Sequence, residues 1–199
     1  MRIGVFGGTF DPLHNGHLMI ALEVRYRFTL DRMLLVVAND PWQKSARAIT
    51  PAAARLSMVV DEVARINDTM GAEVLEASDL EIRRGGATYS VDTLAELHAA
   101  EPGAELFLIV GSDAAAGLDT WKRTAEVQRL ATTVVVDRGG REGGRPPADW
   151  DHVVLDVPLM EVSSSDIRDR VAQGAPVEAF LPPTVSDGIR RLGLYRPPA

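Results

Sequence analysis

Short runs of apolar, β-branched residues alternate along the chain with stretches of helical periodicity, and this alternation limits the fold more than any other feature. The runs are nearly continuous, as expected for strands buried on both faces of a parallel sheet. Alternating strands and helices with short connections predict a three-layer α/β sandwich with a doubly wound, largely parallel sheet. At 199 residues, a single domain over 1–199 is expected. The predicted strands are Arg2–Gly8, Arg32–Asn39, Glu105–Gly111, Thr132–Arg138 and His152–Pro158.

Helical signals lie between these strands. Leu18, Ala21 and Leu22 follow the i, i+3, i+4 spacing of an amphipathic helix. A weaker, alternating segment over Ala72–Glu81 is expected to form an edge strand. The next predicted helix is Ala52–Ile66, with Thr50 as its N-cap and Pro51 in its first turn. Ser90 is expected to cap a helix over Val91–Ala100, and Ser163 or Ser164 one over Asp166–Ala172. A last helix is expected from Pro182-Pro183 to about Leu192.

One stretch is rich in residues that interrupt regular structure. Four glycines and two prolines lie within Gly139–Pro147. They predict a flexible surface loop near 139–149 rather than a domain boundary, because a strand signal follows at once. A helical part near 163–195 is expected to complete the domain.

Composition excludes several classes of site and partner. The chain has no cysteine, which rules out disulfides, thiolate zinc sites, iron–sulfur clusters and a cysteine nucleophile. A net charge of -7 argues against a polynucleotide partner, since binding nucleic acid usually requires a basic surface. Apolar runs are far shorter than the roughly 20 residues that span a bilayer, so no membrane association is expected. No signal-peptide core is present near the N-terminus, and a cytoplasmic location is expected.

The segment Gly7–Leu18 carries the strongest chemical signal. It follows the first strand and opens the first helix, yet it matches neither the G-x-G-x-x-G dinucleotide fingerprint nor the Walker A loop. Its two glycines let backbone approach a ligand, and the helix N-terminus is partly positive. His14 and His17 share one helix face, and Gly16 leaves room for another group. These features predict a phosphate site. Zinc is less favoured, because no third His or Cys lies nearby.

This segment, G-G-T-F-D-P-x-H-x-G-H, resembles the signature of the H-x-G-H nucleotidyltransferase superfamily. The wider chain resembles the bacterial nicotinate-nucleotide adenylyltransferases over nearly its whole length. Trp121 and the Thr88-Tyr89 pair carry the narrower resemblance. The further matching elements are Pro41-Trp42-Gln43-Lys44, Thr88-Tyr89-Ser90 with Asp92-Thr93-Leu94, Ile109–Asp113, Asp119-Thr120-Trp121, Val162–Arg168 and Gly193-Leu194-Tyr195-Arg196.

The resemblance implies a Rossmann-like nucleotidyltransferase fold and a defined reaction. The adenylyl group of ATP would pass to nicotinate mononucleotide, giving nicotinate adenine dinucleotide and pyrophosphate. ATP would bring Mg²⁺ on its phosphates, so the protein itself would supply no metal ligand. The partners would be these small molecules, and a homo-oligomer is left open.

The resemblance also assigns site residues. Lys44 would reach phosphates from a loop, Trp121 would stack on the pyridine ring, and nearby backbone amides would bind the nicotinate carboxylate. Asp113 would reach ribose hydroxyls. The expected catalytic residues are His14, His17 and Arg168. The residues expected to bind ATP are these three together with Gly7, Gly8, Thr9, Phe10, Gly111, Asp113, Ser163, Ser164 and Ser165. The residues expected to bind the nicotinate nucleotide are Lys44, Thr88, Tyr89 and Trp121.

Three alternatives remain at the level of sequence. The acceptor could be phosphopantetheine or nicotinamide mononucleotide, or the chain could be a nucleotide sensor without turnover. The Thr88-Tyr89 pair and Trp121 argue against the first. A sensor has no need of leaving-group stabilisation, which argues against the last. Lys122 follows Trp121 where many members carry an aromatic residue, and this bears on the choice between acid and amide.

Overall fold

A computed structural model describes residues 1–41, 49–138, 143–158 and 160–196. Its centre is a six-stranded parallel sheet in the order β4-β2-β1-β6-β7-β8. A small parallel pair, β3 with β5, lies apart from it. The strands are β1 (Arg2–Gly8), β2 (Arg32–Val37), β3 (Asp40–Pro41), β4 (Glu76–Ser78), β5 (Ala87–Thr88), β6 (Glu105–Gly111), β7 (Ala131–Arg138) and β8 (His152–Val157).

Helices cover both faces of the sheet, so the predicted doubly wound α/β sandwich is confirmed. Two clusters of buried apolar side chains form the core, one on each face. The helices are α1 (Asn15–Arg27), α2 (Ala52–Met70), α3 (Leu80–Arg84), α4 (Ser90–Ala100), α5 (Ser112–Ala115), α6 (Thr124–Leu130), α7 (Ser164–Ala172) and α8 (Pro183–Leu192), with a 3₁₀ turn at Leu118–Thr120.

The sheet grows outward from β1 in two directions. The chain runs from β1 through β2 to β4, and then returns to place β6 on the other side of β1. In open α/β sheets, ligands bind outside the carboxyl ends of the strands at such a reversal of strand order. The loops after Gly8 and Gly111 are therefore the expected place for a ligand.

Several predicted elements need correction. Thr50 is not the N-cap of α2, since Pro51 holds that position, and the helix runs four residues past the predicted Ile66. Ser90 is the first helical residue of α4 and not its cap. Ser163, in contrast, is the N-cap of α7, where its hydroxyl accepts a hydrogen bond from the Asp166 amide.

The two outer strands also differ from expectation. The predicted edge strand Ala72–Glu81 does lie at the sheet edge, but pairing with β2 is limited to Glu76–Ser78, and the following residues turn into α3. β8 is not buried on both faces: Val153 and Val154 are 44% and 43% exposed. An edge strand has a partner on one side only, and apolar sequence alone does not reveal that.

Within the described residues, no helix is both long and apolar enough to cross a membrane. The expected flexible loop lies partly outside them, because residues 139–142 are not described. In the described part of that loop, Arg145 binds the carboxylate of Asp137 at the end of β7, with 2.9 Å between Nη1 and Oδ1.

Candidate active site

A cavity of about 290 Å³ lies where the carboxyl ends of β1 and β6 diverge. Gly7, Gly8 and Thr9 form one wall, and Leu108–Gly111 form another. The remaining walls come from the β5–α4 segment and from the residues after the 3₁₀ turn. A largely apolar pocket with a few polar groups, at the reversal of strand order, is the usual form of a small-molecule site in this architecture.

The β1–α1 turn holds its two histidines against each other. His14 is the N-cap of α1, and His17 lies in its first turn. Their rings stack with centroids 3.6 Å apart, and the His14 amide donates to His17 Nδ1 at 3.3 Å. Because Nδ1 accepts, neutral His17 carries its proton on Nε2, where it can be donated to a ligand oxygen. The rings of Phe10 and His17 pack in a T-shaped arrangement, with centroids 5.1 Å apart.

Two glycines in this turn lie close to neighbouring side chains. A Cβ on Gly16 would lie 3.0 Å from Val162 Cγ1 and 3.1 Å from His14 Nδ1. The expectation that Gly16 leaves room for another group is confirmed, and that group is the segment leading into α7. A Cβ on Gly8 would lie 2.9 Å from the ring of Phe10. Phe10 is only 1% exposed, so its side chain supports the turn from within, and its backbone is what could reach a nucleotide.

The N-terminus of α7 docks directly on this turn. The Ser164 hydroxyl donates to the Pro12 carbonyl at 3.0 Å. Arg168 donates to the Asp11 carbonyl at 2.8 Å and to Ser165 Oγ at 2.9 Å. These contacts bring two helix N-termini side by side, with their partial positive charges on the same side of the sheet.

Arg168 keeps its charge available. Within the described part of the chain, no carboxylate lies within ion-pair distance of its guanidinium. Its two hydrogen bonds orient the planar group without neutralising it. A fixed, uncompensated guanidinium beside two helix N-termini is suited to bind a polyphosphate.

The C-terminal region also holds the same turn. The Tyr195 hydroxyl donates to Asp11 Oδ1 at 2.8 Å. Asp11 is 1% exposed, and burial is the main reason why the pKa of Tyr195 lies well above its usual value. The hydroxyl therefore stays protonated at all working pH values and remains a donor. The sequence element that contains Tyr195 thus fixes the turn that contains the histidines.

Arg55 is the largest fully buried side chain among the described residues, and sequence reasoning did not single it out. Its guanidinium donates to the carbonyls of Thr9 at 2.6 Å and Ala38 at 2.7 Å. Further bonds reach the carbonyls of Thr50 at 2.7 Å and Asn39 at 3.2 Å. Arg55 therefore joins the β1–α1 turn to the segment after β2. No sequence signal marks it, because arginine is common in this chain and its burial depends on the position of α2.

The other side of the cavity is formed by the residues expected to hold the pyridine nucleotide. Thr88, Tyr89 and Trp121 all line it, so the structure brings these three together. Pro41 pairs with Thr88 across the small β3–β5 sheet, which joins two of the matching sequence elements. Lys44, the last residue of the first of those elements, lies outside the described residues.

Lys122 lines the same cavity next to Trp121. Its ammonium lies 3.6 Å from the centroid of the Tyr89 ring, in cation–π contact.

Glu81 also lines the cavity and was not predicted from the sequence. It is 4% exposed, accepts a hydrogen bond from the Thr93 hydroxyl at 2.6 Å, and lies 4.0 Å from Arg84. Burial raises the pKa of its carboxyl, while the Thr93 bond and the charge of Arg84 oppose that rise. The Glu81–Arg84 spacing of i, i+3 favours a helical turn over the predicted strand, but it does not mark Glu81 as a site residue.

Gly111 ends β6, and Asp113 follows it in α5. Gly111 lines the cavity and is the N-cap of α5, and Asp113 is exposed in the first turn of that short helix. The structure thus separates the site into two neighbouring parts. His14, His17, Ser163–Ser165 and Arg168 form the part that suits phosphates, whereas the cavity suits a flat ring.

The family of the chain follows from comparison with known proteins. The cytidylyltransferase-like family model matches residues 5–170. The relatives include proteins named probable nicotinate-nucleotide adenylyltransferase, from Corynebacterium kroppenstedtii, at 41% identity over 98% of this chain and 92% of the relative, and from Streptomyces coelicolor, at 42% identity over 96% of this chain and 98% of the relative. The solved Plasmodium falciparum nicotinic acid mononucleotide adenylyltransferase complexed with NaAD shares the fold, with a TM-score of 0.76 at 17% identity, over 98% of this chain and 97% of that one. The chain therefore belongs to the cytidylyltransferase-like family, and within it to the nicotinate-nucleotide adenylyltransferases.

Proposed function

We propose that this protein transfers the adenylyl group of ATP to nicotinate mononucleotide, releasing pyrophosphate and nicotinate adenine dinucleotide. The observation that carries the proposal is the pairing of two helix N-termini. The Ser164–Pro12 and Arg168–Asp11 bonds lock the N-terminus of α7 onto the histidine turn, next to a cavity that contains Trp121. One part of this site suits a triphosphate and the other suits a pyridine ring.

The reaction needs alignment more than acid–base chemistry. A phosphate oxygen of the mononucleotide, already anionic near neutral pH, attacks the α-phosphorus of ATP. The bond from that phosphorus to the bridging oxygen breaks, and pyrophosphate leaves with the electron pair. No protein nucleophile or general base is required, so the site must hold both reactants in line and stabilise charge on the transferring and leaving groups.

The phosphate part of the site supplies that stabilisation. His17 donates from Nε2, and His14, stacked on it at 3.6 Å, forms the other half of the donor pair. Arg168 binds the β- and γ-phosphates together with the Ser165 hydroxyl, which accepts from Arg168 and keeps its own proton to donate, and with the backbone N–H groups at the N-terminus of α7. These groups are already oriented before ATP binds, so little reorganisation is needed in the transition state.

Mg²⁺ enters this proposal as part of the ATP complex. The donor set of the phosphate part, imidazole, guanidinium and hydroxyl, suits phosphate oxygens rather than a hard dication, which prefers carboxylate and water oxygens. The dication would neutralise charge on the bridging phosphates. His14, His17 and Arg168 would bind the oxygens that it leaves free.

Trp121 and its neighbours would bind the acceptor. Trp121 offers a flat apolar surface for the pyridine ring, and Tyr89 and Thr88 complete that end of the cavity. Gly7 and Gly8, where the backbone lies at the cavity wall, would let the mononucleotide phosphate approach the α-phosphate of ATP closely. Gly111 and Asp113 would hold the adenosine at the end of β6.

A cytoplasmic location stays a prediction from the sequence.

The test is a pyrophosphate-release assay with ATP and Mg²⁺ and one acceptor at a time. We expect release with nicotinate mononucleotide, less with its amide analogue, and none with phosphopantetheine. Preference for phosphopantetheine would favour the alternative hypothesis of an adenylyltransferase that acts on phosphopantetheine. Binding of ATP without release from any acceptor would favour a nucleotide sensor, and either result would reject the proposal.

A further inference from the structure

We propose that Lys122 determines the preference for the acidic pyridine nucleotide, by placing a positive charge beside the carboxylate of its ring. This inference rests on the proposed function and concerns the pyridine end of the same cavity. The residue has no role in the chemistry at phosphorus. It affects the relative affinity of the site for the acid and the amide acceptor.

The charges around the cavity support this role. Among its described lining residues, Lys122 is the only cation and Glu81 the only carboxylate. No carboxylate in the described part of the chain lies within ion-pair distance of Lys122. Its charge is therefore not cancelled by an ion pair with a described residue.

The position of the ammonium is defined as well. It lies 3.6 Å from the centroid of the Tyr89 ring, and both residues line the cavity with Trp121. A cation over an aromatic face is held near that ring, although the long lysine side chain is exposed. Lys122 thus lines the same cavity as Trp121, on which the pyridine ring would stack.

Charge is needed here because neutral donors discriminate poorly. Backbone N–H groups can bind a carboxylate oxygen and an amide oxygen alike, since both accept hydrogen bonds. A cation distinguishes them, because it attracts the anion much more strongly than the neutral amide. Glu81 makes this distinction more important, since an anion in the same cavity would otherwise repel the acid and favour the amide.

The test compares steady-state kinetics with nicotinate mononucleotide and with nicotinamide mononucleotide. For Lys122→Met we expect KM for the acid to rise about 10-fold or more, the size expected when a charge-assisted contact is lost. We expect kcat to stay within about twofold, because uniform binding is removed far from the reacting phosphate. Kinetic constants for the amide should hardly change, and Lys122→Arg should retain most of the preference.

Arg129→Met is the matched control, because Arg129 is an exposed cation on α6 that does not line the cavity. It should leave both acceptors unaffected. An equal loss with both acceptors in Lys122→Met would show a structural role and overturn the inference, as would an unchanged preference for the acid. Those results leave the proposed function standing. A wild-type protein that releases pyrophosphate with neither acceptor would overturn both.

Discussion

Replacement of Arg55 by methionine tests the claim that one buried guanidinium holds the active-site turn together. Arg55 is 1% exposed and donates to four backbone carbonyls, with donor–acceptor distances of 2.6 to 3.2 Å. A hydrogen bond from a charged group contributes about 1.5–3 kcal/mol net, so four bonds set an upper limit of about 6–12 kcal/mol. The desolvation of a buried charge, about several kcal/mol, offsets part of that.

The expected net loss is about 3–5 kcal/mol of the free energy of unfolding, because each buried carbonyl left without a donor costs about 1–3 kcal/mol, while the desolvation cost of the charge is removed with the charge. Methionine has a similar length, so the change leaves carbonyls without donors rather than a large void. Because a domain of this size is stable by only about 5–15 kcal/mol, the variant should unfold at much lower urea concentration. Equilibrium urea unfolding with linear extrapolation measures the difference.

Arg83→Met is the control, since Arg83 is exposed and, among the described residues, pairs only with Asp79, the residue before α3. It should change the free energy of unfolding by about 0.5 kcal/mol or less. If Arg55→Met lost less than about 1 kcal/mol, its four bonds would contribute far less than reasoned. The turn would then be held by the contacts of α7 and Tyr195 instead.

Three further perturbations follow from the site. His17→Ala should lower kcat by about 10²-fold, the size found when one preorganised donor to a developing charge is lost. Replacement of the exposed His98 by alanine is the control, and an effect of His17→Ala confined to KM would show a ground-state contact instead. Gly16→Ala should lower kcat about 10-fold by pushing Val162 and α7 away by a few tenths of an ångström, an estimate scaled from the roughly 10²-fold cost of a misplacement of about 1 Å. The control Gly103→Ala, where a Cβ meets nothing within 4 Å, should leave kcat unchanged, and equal rates in both variants would refute the steric argument. Glu81→Gln should gain stability relative to wild type as pH rises above 4.5, because burial raises the pKa of the folded-state carboxyl and ionising it costs folded-state stability. Thermal unfolding across pH checks this, and a stability difference between variant and wild type that stays constant or shrinks as pH rises would contradict it.

Much of the fold follows from the sequence because its strands are marked by apolar, β-branched runs. β1, β2, β6 and β7 begin and end within about two residues of their predicted limits, and Ser163 caps α7 as its sequence position suggests. The exposure of β8 could not be predicted from its own residues. Whether Val153 is covered depends on which elements pack against the sheet edge, and these are distant in sequence.

The same distinction applies to the site. His14 and His17 are three residues apart in the chain, so their shared face could be predicted from helical spacing alone. Arg55 and Glu81 could not be identified, because each becomes a site residue only when its helix packs beside the carboxyl ends of the strands. A buried arginine and an exposed one look alike in sequence.

The central claim concerns which phosphorus of ATP is attacked, and labelled ATP tests it most directly. The protein would be incubated with nicotinate mononucleotide, Mg²⁺ and ATP carrying ³²P in its α-phosphate, and the products separated. We predict that the label appears in nicotinate adenine dinucleotide, together with an equal amount of unlabelled pyrophosphate. Label recovered as ADP or AMP, with no labelled dinucleotide, would contradict the account.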